Sequence, residues 1–380
     1  MKKMKKNGKK DGKMKTIFHS DQVDLLLDKE SIVKELKKKY GEFTVTRMDD
    51  DRTFLSYVPY GISTQSLCLD LTIGRPGLPV GRIVEIMGKN QAAKSTLGYH
   101  ILHETKRKEG IPVLCEIEHK IDRDRMMGLF NFGKELFLLQ PDTLETAFKV
   151  CADLIQTIRA VHDYKTPMTI VIDSIGGAAT IADLAGGYED NLPGNQARAL
   201  SRAFKKFVRQ VAEQKILVVL LNQVKHDFKK TGWQARFDAD LESSGGESPK
   251  YHTSVRISLA KSSKIEENGK VLGRIIRTRI EKNDMAAPEE KSQFGLLFKS
   301  GIDKFEDLYD GALKIGYIRE EGRSFIYKND KIGKVKWKDF VEKKGGCDKF
   351  RDLLLTEAIK RGFIKSYGKI EEKINEKNKI

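Results

Sequence analysis

A chain of 380 residues, 39% hydrophobic and 33% charged, can bury at least one full core with appendages. Its formal charge of +16 points to a polyanion or an anionic surface as partner. No apolar run approaches the roughly 18 residues of a membrane span, and no apolar segment of a signal peptide follows the lysine-rich start. A soluble, cytoplasmic protein is therefore expected. Cys68, Cys115, Cys151 and Cys347 are scattered without C-x-x-C spacing. That argues against a zinc site or disulfide framework and suits a reducing compartment.

The opening MKKMKKNGKKDGKMK reads as a solvated tail, with nonspecific phosphate binding as the sharper alternative. In DKESIVKELKKKYGE, Ile32, Leu36 and Tyr40 recur at helical spacing, and a β-prone FTVTRM follows. From about 61 to 300, strand-like runs alternate with helical segments. GRIVEIMG precedes STLGYHILHETKRK, IPVLCEIE precedes a charged segment, MTIVIDS precedes a long helical stretch, and ILVVLLNQ precedes a polar loop. Short runs buried on both faces and separated by helices predict a parallel sheet in an α/β domain. Residues 1–60 form an N-terminal segment, and the short lysine-rich elements of 301–380 a smaller C-terminal domain. Two irregular stretches, ADLAGGYEDNLPGN and VKHDFKKTGWQARFDADLESSGG, interrupt the core and are candidate functional loops.

The stretch GKNQAAKST stands between a strand-like run and a helix former, the context of the phosphate-binding pattern G-x-x-x-x-G-K-[ST]. Gly88, Lys94 and Ser95 are in register, but Ala93 replaces the second glycine. Backbone N–H groups across Lys89, Asn90, Gln91, Ala92 and Ala93, with the helix start at Thr96 behind them, would cradle phosphate. Lys94 would reach the β/γ-phosphates of ATP, and Ser95 would offer its hydroxyl to Mg²⁺. If position 93 needs a positive φ, the methyl costs on the order of 1–2 kcal/mol and weakens the site about tenfold.

Other strand ends supply the remaining chemistry. MTIVIDS ends near Asp173, the form of a metal-holding carboxylate; the alternative is an aspartate that caps the next helix with Ser174. Glu116 and Glu118 end another strand, where a carboxylate could polarise an attacking water. Asn222 and Gln223 end a fourth, where an amide can sense a γ-phosphate and couple it to the following loop. Ligands gather at the carboxyl ends of strands in open α/β sheets, so the four pieces converge.

STQSLCLDLTIGRPGLPVGRIVEIMG, CEIEHKID, FLLQPDTLETAFKVCADL, IVIDSIGG, LLNQV, SSGGESPKYHTSVRISL and EKNDMAAP occur in this order. In them the sequence resembles the bacterial and phage RecA recombinases over roughly residues 30–330. The resemblance implies an α/β fold: a RecA-type P-loop ATPase core with a mainly parallel sheet flanked by helices. It also implies an N-terminal helix-strand oligomerisation segment and a small α+β C-terminal domain. Members bind single-stranded DNA as helical ATP-bound filaments, pair it with homologous double-stranded DNA and exchange strands.

By position, the resemblance implies that Glu118 activates water, Gln223 senses the γ-phosphate and Asp122 lies near the adenine. Arg125 occupies the place of an adenine-stacking tyrosine, and a guanidinium can also stack. Lys282 matches a lysine reaching the neighbouring subunit's ATP, while Asp284 replaces the family's second lysine there. That departure leaves the neutralisation of the γ-phosphate to another cation. Lys250 and Tyr251 match residues of the same interface.

The irregular stretches become DNA-binding loops, roughly 182–195 and 224–244. Leu192 or Pro193 matches the first base wedge and Phe228 the second. Arg198, Ser201, Lys205, Gly245 and Gly246 match phosphate contacts; aromatics folded on the core and an ordinary solvated helix face are the plainer alternatives for these loops and for RALSRAFKKF. KYGEFTVTRM resembles the family's packing strand, which adds to a neighbour's sheet. The C-terminal KSYGKIEEKINEKNKI lacks the acidic excess of many members. Two further readings stay open: a filament-forming DNA-binding paralogue with weak or no ATPase, and a ring-forming motor of the same superfamily.

Overall fold

The apolar runs become the middle of one large sheet. A computed structural model describes residues 29–41, 45, 55–186, 194–225, 242–243 and 247–368. The chain divides into two units, 1–54 and 55–380. In the first, helix α1 (Lys29–Tyr40) carries Lys37, Lys38 and Lys39 in its last turn, where cations complement the helix dipole. Most of FTVTRM lies outside the described residues.

The second unit begins with α2 (Leu67–Ile73) between the short antiparallel β1 (Gly61–Ile62) and β2 (Leu78–Pro79). There follow β3 (Arg82–Gly88), α3 (Lys94–Arg107), β4 (Ile111–Glu116), α4 (Arg123–Phe130) and β5 (Phe137–Leu139). Next come α5 (Leu144–Arg159), β6 (Met168–Asp173), α6 (Ile181–Ala185), α7 (Asn195–Glu213), β7 (Leu217–Lys225) and β8 (Glu242–Ser243). Then follow α8 (Ser248–His252), β9 (Val255–Glu267), β10 (Lys270–Asn283), β11 (Lys291–Leu297) and β12 (Gly301–Ile302). The chain continues through α9 (Lys304–Lys314), β13 (Arg319–Glu321), β14 (Ser324–Tyr327), β15 (Asp330–Gly333), α10 (Trp337–Lys343) and α11 (Gly346–Lys360).

The sheet order is β12-β11-β10-β9-β3-β7-β6-β4-β5. From β9 to β5 every pairing is parallel, whereas β9, β10, β11 and β12 form an antiparallel extension. Alternate residues leave opposite faces of a strand. Along β3, Val84 and Ile86 join a core with Leu97 and Ile101 of α3, while Ile83 joins Phe148 of α5 and Phe204 and Phe207 of α7. A strand covered on both faces must be apolar throughout, which is why the alternation typical of half-exposed strands is missing. The long helical stretch after MTIVIDS resolves into α6 and α7, so 182–185 of the first expected loop are helical.

The C-terminal third packs Leu308, Phe325, Trp337, Phe350 and Leu354 against Leu67 and Leu71 of α2. Polar ties fix the seam. Buried Asp307 accepts from Ser66 Oγ at 2.6 Å and from Leu67 N at 2.5 Å, holding the first turn of α2. Arg351 Nη2 on α11 donates to Glu104 Oε2 on α3 at 2.8 Å, and both side chains are buried. Arg351→Ala leaves Glu104 with Arg107 as its remaining charged partner. Urea unfolding is expected to show a loss of about 3 kcal/mol; a loss within about 0.5 kcal/mol, typical of a surface site, would show that the seam does not depend on this pair.

Candidate nucleotide site

The loop between β3 and α3 leads into a helix whose N-terminus no side chain caps. No side chain caps α3 at Ala93, so the amides of its first turn point outward with the positive end of the helix dipole. Ala93 has φ 71° and ψ 15°, inside the left-handed region, and Gln91 has φ 58°. The penalty foreseen for alanine therefore applies, on the order of 1–2 kcal/mol. Lys94 Nζ donates to the carbonyls of Gly88 and Lys89, each at 3.0 Å, which lays the side chain back over the loop. Burial lowers its pKa, while Asp173 and Glu118 pull it back up.

Beside the loop, the ends of β4 and β6 bring three carboxylates together. Asp173, Glu116 and Glu118 line a cleft of about 200 Å³ with Ser95, Thr96, Tyr99, Asp122 and Arg125. Asp173 takes a hydrogen bond from Ser95, yet burial, aided by Glu118 and Glu116, lifts its pKa to about 6. Glu116 Oε1 accepts from Lys120 N at 2.8 Å, while its Oε2 is buried without a hydrogen-bond partner.

Such a group calls for a cation. Among the described residues no three His, Cys, Asp or Glu side chains form a ready-made metal cage. A hard ion taking one hydroxyl, one carboxylate and otherwise water or phosphate oxygens suits this donor set, which fits Mg²⁺.

Glu118 is held differently. It accepts at Oε1 from Ser174 Oγ and from Gln223 Nε2, the latter at 3.2 Å, and at Oε2 from Lys120 Nζ at 3.3 Å. Burial raises its pKa, but these hydrogen bonds outweigh it and hold the carboxyl below its ordinary value. A Cβ at Gly177 would lie 2.8 Å from Glu118 Oε1, so a larger residue there would shift the Glu118 carboxylate. Ser174 serves Glu118 rather than a helix start. Sequence reading missed this partner, although Ser174 directly follows Asp173.

At the outer end of the cleft, Asp122 Oδ1 caps α4 by accepting from Arg125 N at 3.0 Å, and the Arg125 side chain is exposed. Lys261, also unforeseen, reaches in from β9 and donates to Gln91 Oε1 at 3.3 Å. The two strand-end amides separate: Gln223 faces Glu118, whereas Asn222 is buried on the opposite face.

The other expected residues fall into two groups away from the cleft. Lys282 Nζ donates to the carbonyls of Lys250 at 3.2 Å and Thr253 at 2.7 Å, with Asp284 at 3.6 Å. Lys250 and Tyr251 both turn to Glu247, and Tyr251 is 74% exposed. On α7, Arg198 and Lys205 are exposed and Ser201 half-buried, on successive turns of one face. Leu192, Pro193, Phe228, Gly245 and Gly246 lie outside the described residues. The second loop is anchored where β8 pairs with the end of β7, Ser243 opposite Val224 and Glu242 opposite Lys225.

Two measurements probe this geometry. The raised pKa means that Asp173 takes up a proton as pH falls through about 6. Mg²⁺ titrations are expected to weaken about tenfold per pH unit below that point. Asp173→Asn should abolish the dependence, and flat wild-type affinity from pH 5 to 8 would count against the assignment. Ala93→Gly is expected to raise the unfolding free energy in urea by about 1 kcal/mol, and no rise means that the methyl is accommodated without strain.

The family profile described as RecA N-terminal domain matches residues 28–303. Among curated proteins, Protein RecA of Brucella suis is 28% identical over 317 residues, which cover 83% of this chain and 84% of that protein. The Brucella canis and Brucella abortus proteins of the same name match with the same figures. Among the described residues no helix is long and apolar enough to cross a membrane. A profile spanning most of the chain, on an α/β core of mainly parallel strands, makes this protein a member of the RecA family.

Proposed function

We propose that the protein is a DNA-dependent ATPase that forms helical filaments on single-stranded DNA and catalyses homologous pairing and strand exchange. The observation that carries this reading is the Glu118–Gln223 hydrogen bond at 3.2 Å. It joins the base candidate of the cleft to the strand that runs into the second loop.

In this mechanism Lys94 and the α3 amides hold the phosphates of ATP, and Arg125 and Asp122 flank the adenine. Ser95 and Asp173 hold Mg²⁺, which when bound neutralises charge on the phosphate oxygens. Glu118 stays ionised because hydrogen bonds favour its charged form, as a group accepting a proton from water requires. Gln223 exchanges Glu118 for the γ-phosphate and so reports the nucleotide to the loop anchored by β7 and β8.

DNA phosphates are contacted by Arg198, Ser201 and Lys205, with Gly245 and Gly246, while Leu192 or Pro193 and Phe228 wedge between bases. Self-association uses the outer edge of β5, where Phe137 and Leu138 are 46% and 44% exposed and the sheet ends. Lys282, Lys250 and Tyr251 serve the same assembly. Work on DNA of this kind places the protein in the cytoplasm.

One observation favours a second reading, a filament-forming DNA-binding paralogue with weak ATPase. Lys282, the cation meant for the neighbouring nucleotide, already faces Asp284 at 3.6 Å. ATP turnover with and without single-stranded DNA, alongside strand exchange, separates the two. The first reading expects DNA-stimulated turnover and exchange of strands, with Lys94→Ala lowering turnover about a hundredfold or more. Filaments without stimulated turnover would establish the second.

A further inference from the structure

Asn222 and Gln223 are neighbours on β7, so their side chains leave opposite faces of the sheet. Gln223 Nε2 meets Glu118. Asn222, fully buried, donates from Nδ2 to Glu85 Oε1 at 2.7 Å. The second oxygen of Glu85 accepts from Arg256 Nε at 2.6 Å. Glu85 lies on β3 and Arg256 directly opposite it on β9. One buried carboxylate therefore ties three adjacent strands together, three residues before β3 ends at Gly88 and at the residue before Gln223.

A buried ion pair is weak support for stability, because packed apolar side chains of similar volume do as well or better. What it supplies is fixed geometry. The same strand tip is pressed from the side by the loop after β6, where a Cβ at Gly176 would lie 3.0 Å from Asn222 Oδ1 and 3.0 Å from Gln223 N. Any shift of Asn222 would carry Gln223 with it, since they share a peptide bond and the loop after β6 packs closely beside both.

We infer that Asn222 is a positioning residue: the Glu85–Arg256 pair holds it, and through it the tip of β7, at the register where Gln223 reaches Glu118. This inference rests on the ATPase reading above. Lys94 and Ser95 stand on a different element, so losing the tie should spare nucleotide binding and impair the coupled step.

The test is steady-state ATP turnover with and without single-stranded DNA, with a thermal melt of each variant. Asn222→Ala and Asn222→Asp are expected to lower DNA-stimulated kcat about tenfold or more, with the KM for ATP within about twofold of wild type. In Asn222→Asp two carboxylates face each other. Adding Glu85→Gln restores the hydrogen bond with donor and acceptor exchanged and keeps the net charge beside Arg256. The double variant should recover kcat to within about threefold of wild type.

Single variants with unchanged kcat would overturn the inference. So would a fall in melting temperature, a rise in KM and a fall in kcat that move together and are not rescued by the double variant, because the bond would then be merely structural. Should the single variants not fold, a folded double variant decides, its kcat near wild type supporting the role and a low kcat opposing it. A wild type without DNA-stimulated turnover overturns both this inference and the reading beneath it. An active wild type with indifferent variants overturns this inference alone.

Discussion

The cleft depends on the parallel pairing of β3 with β7 and of β7 with β6. Parallel neighbours need crossover connections, and helices supply them, which puts every carboxyl end on one side of the sheet. Residues far apart in sequence, at 94, 118, 173 and 223, therefore meet without any of them being selected for contact. The register makes this concrete: Gly88 pairs with Gln223, and Glu116 with Asp173. A slip of one residue in β7 would exchange the faces of Asn222 and Gln223 and part Gln223 from Glu118.

Charge decides what the cleft can hold. Three carboxylates, Glu116, Glu118 and Asp173, line it with Lys120 and Arg125, and the partly desolvated Lys94 feels Asp173 and Glu118. Burial, with a smaller contribution from the neighbouring carboxylates, lifts the pKa of Asp173 to about 6. Glu118 escapes because three donors, Ser174, Lys120 and Gln223, surround it. Two neighbouring carboxylates are thus driven in opposite directions by their surroundings, Asp173 upward and Glu118 downward.

Much of this was legible in the sequence. Apolar runs such as IVIDS and ILVVLL mark strands covered on both faces, and GKNQAAKST lies where β3 passes into α3. Sequence pattern could not show which side of β7 each amide faces, because period two fixes only that neighbours differ. Nor could it show that Ala93 adopts φ 71°, since backbone sign depends on the loop as a whole. The antiparallel extension β9 to β12 escaped because charges such as Lys261, Lys264, Arg274 and Arg277 interrupt its strands. Asp122 was assigned to the adenine by position, yet its side chain also closes the first turn of α4, a capping signal that residue type alone would give.

The helix that starts at the candidate phosphate loop also ends at the C-terminal seam. α3 opens with Lys94 at the cleft and carries Glu104 in its last turns, where Arg351 of α11 is bound at 2.8 Å and Arg107 at 2.7 Å. Fourteen residues make a rod about 21 Å long. Asp352 joins the far end by accepting from Arg107 at 2.9 Å. A packed helix transmits displacement along its axis better than a loop does, because its sides are held by the sheet on one face and by α4 on another. The segment around α11 thus meets the far end of the helix that begins beside the cleft, although none of its residues lines the cleft.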